Sequence, residues 1–353
     1  MISIIIPVRN RPDELARCLK GLLAQRRNGP HEVLVIDDAS SDDDSERVCA
    51  AVPVVTYTRL DRHRGSAYCR NLGLLQAHGA IVLFLDSDVT FLSETTLEAM
   101  AEVIRTDPEC GQIGGEAIVD CDGTLKYVFG RHLEPSTGTS RWCFVSVENA
   151  KPRERFECDY LPTSNCMMRR DVALRLNGFD DAYPGVGEDK DFGYRVMTSG
   201  FRSYAMPETV VNHHFSSTGR GRTGLRKYYR TQIRFCLRYH GLASTVGTAC
   251  RMAWRGRRAP DRSRHRTDDP DIRQFEMSHQ ANVLGLVPSP HLGGRLANIW
   301  HAGWTLLLAL LWNLVSRRGL RGGGSAYLNL RDQAVHRTEG EDVSSCGPSS
   351  SPW

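Results

Sequence analysis

Short apolar runs alternate with amphipathic stretches over the first 120 residues of the chain. Residues 2–8, 33–36 and 80–85 are almost wholly hydrophobic, the pattern of strands buried on both faces of a parallel sheet. Between the first two runs, Leu15, Leu19, Leu22 and Leu23 recur at helical spacing after Pro12. This alternation predicts an α/β fold with a mostly parallel sheet flanked by helices.

Further elements follow from the same periodicities and their turn residues. We expect strands at 52–56, 112–119, 142–147 and 163–168, helices at 66–77, 94–105, 171–176, 189–198 and 225–239, turns at 120–123 and 178–180, and two short strands ending near His213 and His214. The stretch 120–162 has no regular pattern. The predicted organisation is an α/β domain over 1–218, a basic helical C-terminal region over 219–330 and a disordered tail over 331–353.

Polar residues follow three of the predicted strands at the point where each strand ends. Asp86 and Asp88 follow the run at 80–85, Asn10 follows the first strand, and Asp37 and Asp38 follow the second. In an open α/β sheet, ligands bind beyond the carboxyl ends of the strands. Paired carboxylates at that edge suit a hard divalent cation that holds phosphate oxygens. For any one of these residues, a solvated turn carboxylate is the alternative.

Composition excludes several other classes of protein. The 353 residues are 41% hydrophobic and 24% charged, an ordinary globular balance. Eleven cysteines are scattered without a C-x-x-C pair, which predicts neither a zinc site nor a disulfide framework and fits a reducing cytoplasm. No secretory signal is visible, because the first apolar run is short and Arg9, Arg11 and Asp13 follow it.

The C-terminal third carries two features that bear on partners. Residues 220–273 contain fourteen arginines and one lysine against four aspartates, a net charge of +11 that could meet anionic lipid, a diphosphate or nucleic acid, or could be a solvated surface. Residues 297–315 are apolar but interrupted by Asn298, His301 and Asn313. A helix in the membrane surface, a helix packed on protein and a true span all remain open for this segment.

Four short motifs occur in the order typical of one enzyme family. They are IIIPVRN at 4–10, VIDDAS at 35–40, RNLG at 70–73 and LDSD at 85–88, followed by Asn165, GFD at 178–180, GED at 187–189 and the His213–His214 pair. Over about residues 1–218 the chain therefore resembles family 2 glycosyltransferases, enzymes of the GT-A fold. The motifs are weak individually, and their order carries the resemblance.

The resemblance implies a nucleotide-sugar site at the strand ends. Asp38 would accept a hydrogen bond from the base, favouring uracil and hence UDP, while Asp37 would matter for the loop. Arg70 would hold the diphosphate or order the pocket, with a structural salt bridge as the alternative, and His63 stands where the family often has Asn. The implied donor-binding residues are Pro7, Val8, Arg9, Asn10, Asp38, Gly65, Arg70, Asp86, Ser87 and Asp88.

By the same resemblance, the D-x-D motif binds Mn²⁺ or Mg²⁺ between the two donor phosphates. Asp88 would be the direct ligand and Asp86 would contact the ribose or a metal-bound water. His213 or His214 would complete the set, and only one of them can reach the metal, because consecutive strand residues face opposite sides. We favour His213.

The resemblance also implies the catalytic and acceptor residues. Asp189, with Glu188 beside it, would be the base of an inverting reaction, although carboxylates in a first helical turn can simply complement the helix dipole. Such a helix end would lower the basicity of Asp189 unless burial offsets it. Asn165 and Cys166 would form the floor of the acceptor pocket, and the Cys166 thiol is interpreted as packing rather than as a nucleophile.

The predicted function is metal-dependent, inverting transfer of a sugar from a UDP-like donor to a glycan, lipid-linked, peptide or small-molecule acceptor. It is expected in the cytoplasm, with peripheral contact at the inner face of the membrane. The alternative is a catalytically silent nucleotide-sugar-binding scaffold with a membrane-docking tail. A nucleotidyltransferase would need a G-x-G-x-R signature after the first strand, which is absent from the sequence. A processive synthase would need a closer match to its Q-x-x-R-W motif than residues 232–235 provide. A nucleic-acid-binding protein would need a groove-reading or base-stacking module, and the sequence contains no recognisable one.

Overall fold

Strands and helices alternate over residues 2–85, as the sequence pattern predicts. The computed structural model describes residues 1–26, 29–119, 125–134, 138, 140–146, 154–183, 185–214, 223–241, 243–248 and 307. The strands are β1 (Ile2–Val8), β2 (His31–Asp37), β3 (Val55–Arg59), β4 (Ile81–Leu85), β5 (Val89–Phe91), β6 (Cys110–Gly114), β7 (Glu116–Val119), β8 (Leu125–Leu133), β9 (Ser140–Ser146), β10 (Phe156–Cys158), β11 (Asn165–Arg169), β12 (Arg202–Ala205) and β13 (Val211–His214). The helices are α1 (Pro12–Leu23), α2 (Asp44–Ala50), α3 (Ser66–Gln76), α4 (Thr96–Thr106), α5 (Arg170–Arg175), α6 (Glu188–Thr198) and α7 (Thr223–Tyr239).

An eight-stranded sheet in the order β10-β12-β6-β11-β4-β1-β2-β3 forms the centre of the fold. Strand β11 is antiparallel to both of its neighbours and β10 is antiparallel to β12, while the remaining pairs are parallel. The predicted α/β class with a mostly parallel sheet is confirmed. Because β4, β1 and β2 are adjacent and parallel, their carboxyl ends lie at one edge, as the three polar strand ends predicted.

The core explains why the strand sequences are hydrophobic without alternation. On one face of the sheet, Ile4 and Ile6 pack in a cluster with Leu15 of α1. On the other face, Ile5 belongs to a cluster with Phe84, Phe179 and Phe192. The Phe179 ring centroid lies 4.9 Å from that of Phe84 and 4.4 Å from that of Phe192. A strand covered on both faces has no polar side to show.

A second sheet has the strand order β5-β13-β7-β8-β9, and the chain enters it from β6 through β7. The single strand predicted at 112–119 is wrong: β6 ends at Gly114 and β7, in the other sheet, starts at Glu116. A Cβ at Gly114 would lie 1.9 Å from the Asn165 carbonyl oxygen, so only glycine lets β11 approach so closely. In the same way, β12 pairs with β6 in the first sheet and β13 pairs with β7 in the second. As a result, His213 lies opposite the first residue of β5.

Other predicted elements are found close to their expected positions. Strand β3 starts at Val55 rather than at 52, because the Val52 N–H is used in the turn after α2 and Pro53 has no N–H to give. Strands β5, β8 and β10 were not predicted. The turn expected at 120–123, the apolar segment 297–315 apart from Leu307, and the tail 331–353 lie outside the described residues. Among the residues that are described, no helix combines the length and apolarity needed to cross a membrane.

Candidate functional site

Two carboxylates and an imidazole meet beyond the end of β4. Asp86 and Asp88 lie in the turn between β4 and β5, and β13 pairs with β5 so that His213 stands opposite Val89. His213 Nε2 is 3.2 Å from Asp88 Oδ1 and 3.8 Å from Asp86 Oδ2. One ligand atom from each of the three residues lies within 4.8 Å of the others. We call this group, Asp86, Asp88 and His213, the acidic corner.

The two consecutive histidines point to opposite sides of β13, as the strand period requires. His214 Nε2 lies 3.0 Å from Thr90 Oγ1, away from the carboxylates. The expectation that His213 rather than His214 faces the acidic pair agrees with this placement. A set of two carboxylates and one imidazole fits Mn²⁺ or a similar divalent ion, since these are oxygen and nitrogen donors in reach of one centre.

The ionised form of Asp88 is favoured by its neighbours. Burial raises its pKa, but the hydrogen bond and charge of His213, together with the charge of Arg11, more than offset that, so the pKa lies below its ordinary value. The Arg11 guanidinium contacts Asp88 Oδ2 directly. The carboxylate is therefore ready to bind a cation at neutral pH, and in this structure the cation it meets on that oxygen is Arg11.

A buried arginine of α3 joins the acidic corner to the start of α6. Arg70 donates to Asp86 Oδ1 at 2.7 Å and to Glu188 Oε1 at 3.1 Å. Ser66, one helical turn earlier on the same face, also donates to Glu188 Oε1 at 3.1 Å. This arrangement is the salt bridge that the sequence left open for Arg70. Its contact with a diphosphate stays a prediction.

The carboxyl group of Asp189 is tuned towards neutral pH. Asp189 stands in the first turn of α6 and accepts a hydrogen bond from the Lys190 N–H at 2.7 Å. Although part of its surface reaches solvent, burial in the surrounding protein, and secondarily the charge of Glu188, raise its pKa to about 6. Burial therefore raises the pKa of Asp189 by more than the helix N-terminus lowers it, as a basic carboxylate at this position requires. Among the described residues, the buried Glu188 Oε2 has no hydrogen-bond partner.

On the nucleotide side, Asp38 organises the loop that leads into α3. Its carboxylate accepts hydrogen bonds from the N–H groups of Arg64, at 2.5 Å, and Gly65, at 2.9 Å, and lies 2.6 Å from His63 Nδ1. Gly65 itself has a φ of 94°, which favours glycine at this position. His63, which stands where related sequences often have Asn, thus places its imidazole against Asp38, the residue predicted to bind the nucleotide base.

Asp37 and Asn10 shape the same edge. Asp37 is fully buried and accepts from the Ser40 N–H and the Tyr57 hydroxyl, both at 2.7 Å, which is the loop role expected of it. Asn10 has a φ of 52° and its Oδ1 accepts from the Ser41 N–H at 2.8 Å. Of the other residues predicted at this edge, Val8 and Ser87 are buried, Pro7 is half-buried and Arg9 is exposed.

The two residues predicted at the acceptor floor are fully enclosed. Asn165 donates its amide to the carbonyls of Gly115 and Thr209, both at 2.9 Å, and so ties the two sheets together. Cys166 is buried, and burial raises the pKa of its thiol, in keeping with a packing role. Contact of either residue with an acceptor stays a prediction.

Helix α7 makes contacts that the sequence did not reveal. Arg234 and Arg238 donate to Asp180 Oδ2 at 2.7 and 2.8 Å, and Arg238 also donates to Asp191 at 3.2 Å. Asp191 accepts from Tyr239 and Arg195 as well. We call Asp180, Asp191, Arg234 and Arg238 the α7 clamp. These two arginines belong to the basic segment at 220–273 and are internal counter-ions rather than a solvated surface.

Helix α7 also contacts the residues on either side of Asp189. Thr231 of α7 donates to the Val186 carbonyl at 2.7 Å, and Gln232 accepts from the buried Lys190 ammonium at 2.8 Å. Gly187 precedes α6 with a φ of 87°, and a Cβ there would lie 2.1 Å from Thr231 Cγ2. Sequence spacing gave no signal for these contacts, because the partners are more than 40 residues apart.

Comparison with known proteins places the chain in a family. A model described as "Glycosyl transferase family 2" matches residues 3–176. The chain is 34% identical over 213 residues to an uncharacterized glycosyltransferase of Haemophilus influenzae, covering 60% of this chain and 67% of that protein. It is 27% identical over 228 residues to the O-antigen biosynthesis protein RfbC of Myxococcus xanthus, covering 62% of this chain but only 18% of that much longer protein.

A solved structure shares the fold. The crystal structure of GalNAc-T7 with UDP, GalNAc and Mn²⁺ superposes with a TM-score of 0.56 at 15% identity, covering 79% of this chain and 54% of that one. The likeness shows that the α/β fold described above is the GT-A fold, as the sequence predicted.

Proposed function

The chain belongs to glycosyl transferase family 2, and from that premise we propose that it transfers a sugar from a UDP-sugar to an acceptor hydroxyl with inversion and with a divalent cation. One observation carries the proposal. The acidic corner and Glu188, the residue before Asp189, are joined through one buried arginine, Arg70, which donates to both Asp86 and Glu188. The proposed cation site and the start of α6, where Asp189 stands, therefore share one support.

On the donor side, the acidic corner would hold the cation through Asp88, Asp86 and His213. A bound Mn²⁺ or Mg²⁺ would neutralise the charge that develops on the departing diphosphate. Arg70, buried between two carboxylates, would keep Asp86 in place. The Mn²⁺ and UDP of the GalNAc-T7 structure support this choice of cation and donor.

Asp38 is proposed to select uracil. A carboxylate offers about four lone-pair sites, and the three contacts from His63, Arg64 and Gly65 leave one for a base N–H. The loop contacts also fix the carboxylate in position, which is the condition for discrimination.

Asp189 is proposed as the general base. It would take the proton of the acceptor O–H as that oxygen forms a bond to the anomeric carbon, while the bond from that carbon to the diphosphate oxygen breaks on the opposite face. A pKa of about 6 leaves the carboxyl ionised at neutral pH and makes it a better proton acceptor than an ordinary aspartate. Acceptors with an O–H group fit this role, whether glycan, lipid-linked, peptide or small molecule.

A nucleotide-sugar screen tests the proposal. Thermal unfolding with UDP- and GDP-sugars, with and without Mn²⁺, should show metal-dependent stabilisation by a UDP-sugar, and UDP release should follow when an acceptor is supplied. Asp189→Asn should lower kcat by a factor of about 10²–10⁴ because the base is lost, with UDP affinity within about twofold of wild type.

Asp171→Asn is the matched control, since Asp171 is also a first-turn carboxylate but is exposed on α5. It should leave kcat unchanged. Normal turnover by Asp189→Asn would remove the proposed base. Metal-dependent UDP-sugar binding without UDP release, whichever acceptor class is supplied, would favour the silent scaffold.

A further inference from the structure

The two aspartates of the acidic corner are each paired with an arginine, and the two arginines differ. Arg70 is 4% exposed and is fixed between Asp86 and Glu188. Arg11 is 34% exposed and contacts Asp88, which is itself only 7% exposed. With Arg11 on Oδ2 and His213 facing Oδ1, both oxygens of Asp88 are occupied.

Arg11 stands at the position from which it can reach either a metal ligand or a phosphate. It follows Asn10 directly at the carboxyl end of β1 and precedes Pro12, the first residue of α1. That end of β1 lies between the ends of β4 and β2, at the sheet edge where ligands of open α/β sheets bind. Its planar guanidinium suits two oxygens of a carboxylate or of a phosphate equally well.

We propose that Arg11 is an exchangeable counter-ion: it neutralises Asp88 when no cation is bound, and it moves to the donor diphosphate when a divalent cation takes Asp88. The inference rests on the proposed function. A divalent cation on Asp88 would stand close to the Arg11 guanidinium, which already holds Oδ2 of the same carboxylate, so the two positive charges would repel each other and favour the release of Arg11. The diphosphate supplies the negative charge that accepts the displaced arginine.

The exchange couples the two ligands. Cation binding without nucleotide must break the Arg11 contact with no compensation, whereas cation and nucleotide together replace it. By linkage, each ligand then raises the affinity for the other by the same factor. Couplings between two ligands are typically about 5- to 150-fold, and we take the lower end because Arg11 is partly exposed, so the expected factor is about tenfold.

The test measures Mn²⁺ binding directly, by electron paramagnetic resonance of free Mn²⁺, on the full chain without nucleotide. Arg11→Gln should bind Mn²⁺ about tenfold more tightly than wild type. In the presence of saturating Mn²⁺, the same variant should bind UDP about tenfold more weakly, because the diphosphate has lost its arginine. Arg11→Lys keeps the charge and should stay within about threefold of wild type for Mn²⁺ alone.

Arg17→Gln is the matched control. It removes one positive charge from α1 at a side chain that is 59% exposed and pairs with Glu14 rather than with Asp88. Both affinities should stay at their wild-type values.

The outcomes separate the inference from the function on which it rests. If wild type binds Mn²⁺ and Asp88→Asn does not, but Arg11→Gln binds Mn²⁺ no more tightly than wild type, the exchange is wrong and the metal site stands. If wild type binds no Mn²⁺ even with UDP, the metal-dependent part of the proposed function fails, and the exchange fails with it.

Discussion

The acidic corner and the α7 clamp are each built around two aspartates, and they differ in how completely the charges of those aspartates are neutralised. In the α7 clamp, Asp180 and Asp191 are at most 2% exposed, and each accepts from at least two cationic or hydroxyl groups of the protein. In the acidic corner, Asp86 is 25% exposed and Asp88 pairs with an arginine that is partly in solvent. The first cluster is closed by the protein, and the second is open to a ligand.

The difference separates positioning from binding. A buried ion pair whose partners are all present resists any change, because removing one partner leaves a charge in a dry interior. An open cluster can exchange partners at modest cost. The α7 clamp can therefore hold the loop before Asp189, whereas the acidic corner can change partners, as the proposed cation site requires.

The largest effect should come from breaking the closed cluster. Asp191→Asn leaves Arg195 without its buried countercharge and takes one of two carboxylate partners from Arg238, and should lower the free energy of unfolding by about 4 kcal/mol, measured by urea denaturation. Asp88→Asn in the open cluster should cost about 1 kcal/mol, since Arg11 can turn to solvent. Equal losses in the two variants would erase the distinction.

A smaller effect should follow from crowding the contact between α7 and the loop. Gly187→Ala adds a Cβ 2.1 Å from Thr231 Cγ2 at a φ of 87° and should cost about 3 kcal/mol, with a fall in kcat as the residues before Asp189 move. Gly185→Ala is the matched control: its φ is 74° but nothing lies within 4 Å, so it should cost only about 1 kcal/mol.

Adding Thr231→Ser to Gly187→Ala removes the crowding methyl and keeps a hydroxyl for the Val186 carbonyl. The double variant should recover much of the loss. If Gly185→Ala and Gly187→Ala cost the same amount, then backbone strain alone is at work and α7 does not constrain the loop.

The smallest effect is the change in stability with pH that Asp189 contributes. Its pKa of about 6 in the folded chain exceeds the ordinary 3.8, so the folded chain keeps this proton where the unfolded chain has lost it. The stability contributed by the protonated group is therefore full below about pH 4 and is lost as pH rises through about 6.

Replacing Asp189 with asparagine should remove the loss of stability that accompanies ionisation of this carboxyl group at higher pH. Asp189→Asn is expected to be about 2 kcal/mol more stable than wild type near pH 7.5 and equal to it at about pH 3, measured by urea denaturation at both values. A variant that is less stable than wild type at the higher pH would contradict the desolvation of this carboxyl.

The sequence predicted the central sheet well because its strands are continuous apolar runs that end in polar residues. Residues 2–8 appear as β1 without change, and the runs before Asp37 and Asp86 end at the predicted edge. The prediction failed at Gly114, where one expected strand became two. The division depends on Met206 and Val211, far along the chain, whose N–H groups donate to the carbonyls of Gly114 and Gly115. Strand β5 was missed because three residues are too few to show a period.

The site shows the same division. The motifs picked out Asp86, Asp88, His213 and Asp189, and the structure brings the first three together. They did not pick out Ser66, Arg11 or, apart from Asp180 in the GFD motif, the α7 clamp. Ser66 could have been found from its spacing of four from Arg70 on a predicted helix, whereas a contact of Arg238 with Asp180 has no local signature.

By itself, the sequence determined which chemical groups stand at strand ends, because strand and helix periods and the sheet-edge rule are local properties of the chain. Only the tertiary structure decided which charges are neutralised within the protein and which remain for a ligand. That outcome depends on distances of a few ångströms between residues that are remote in sequence, such as Arg11 and Asp88 or Arg234 and Asp180, and on how much water each pair keeps.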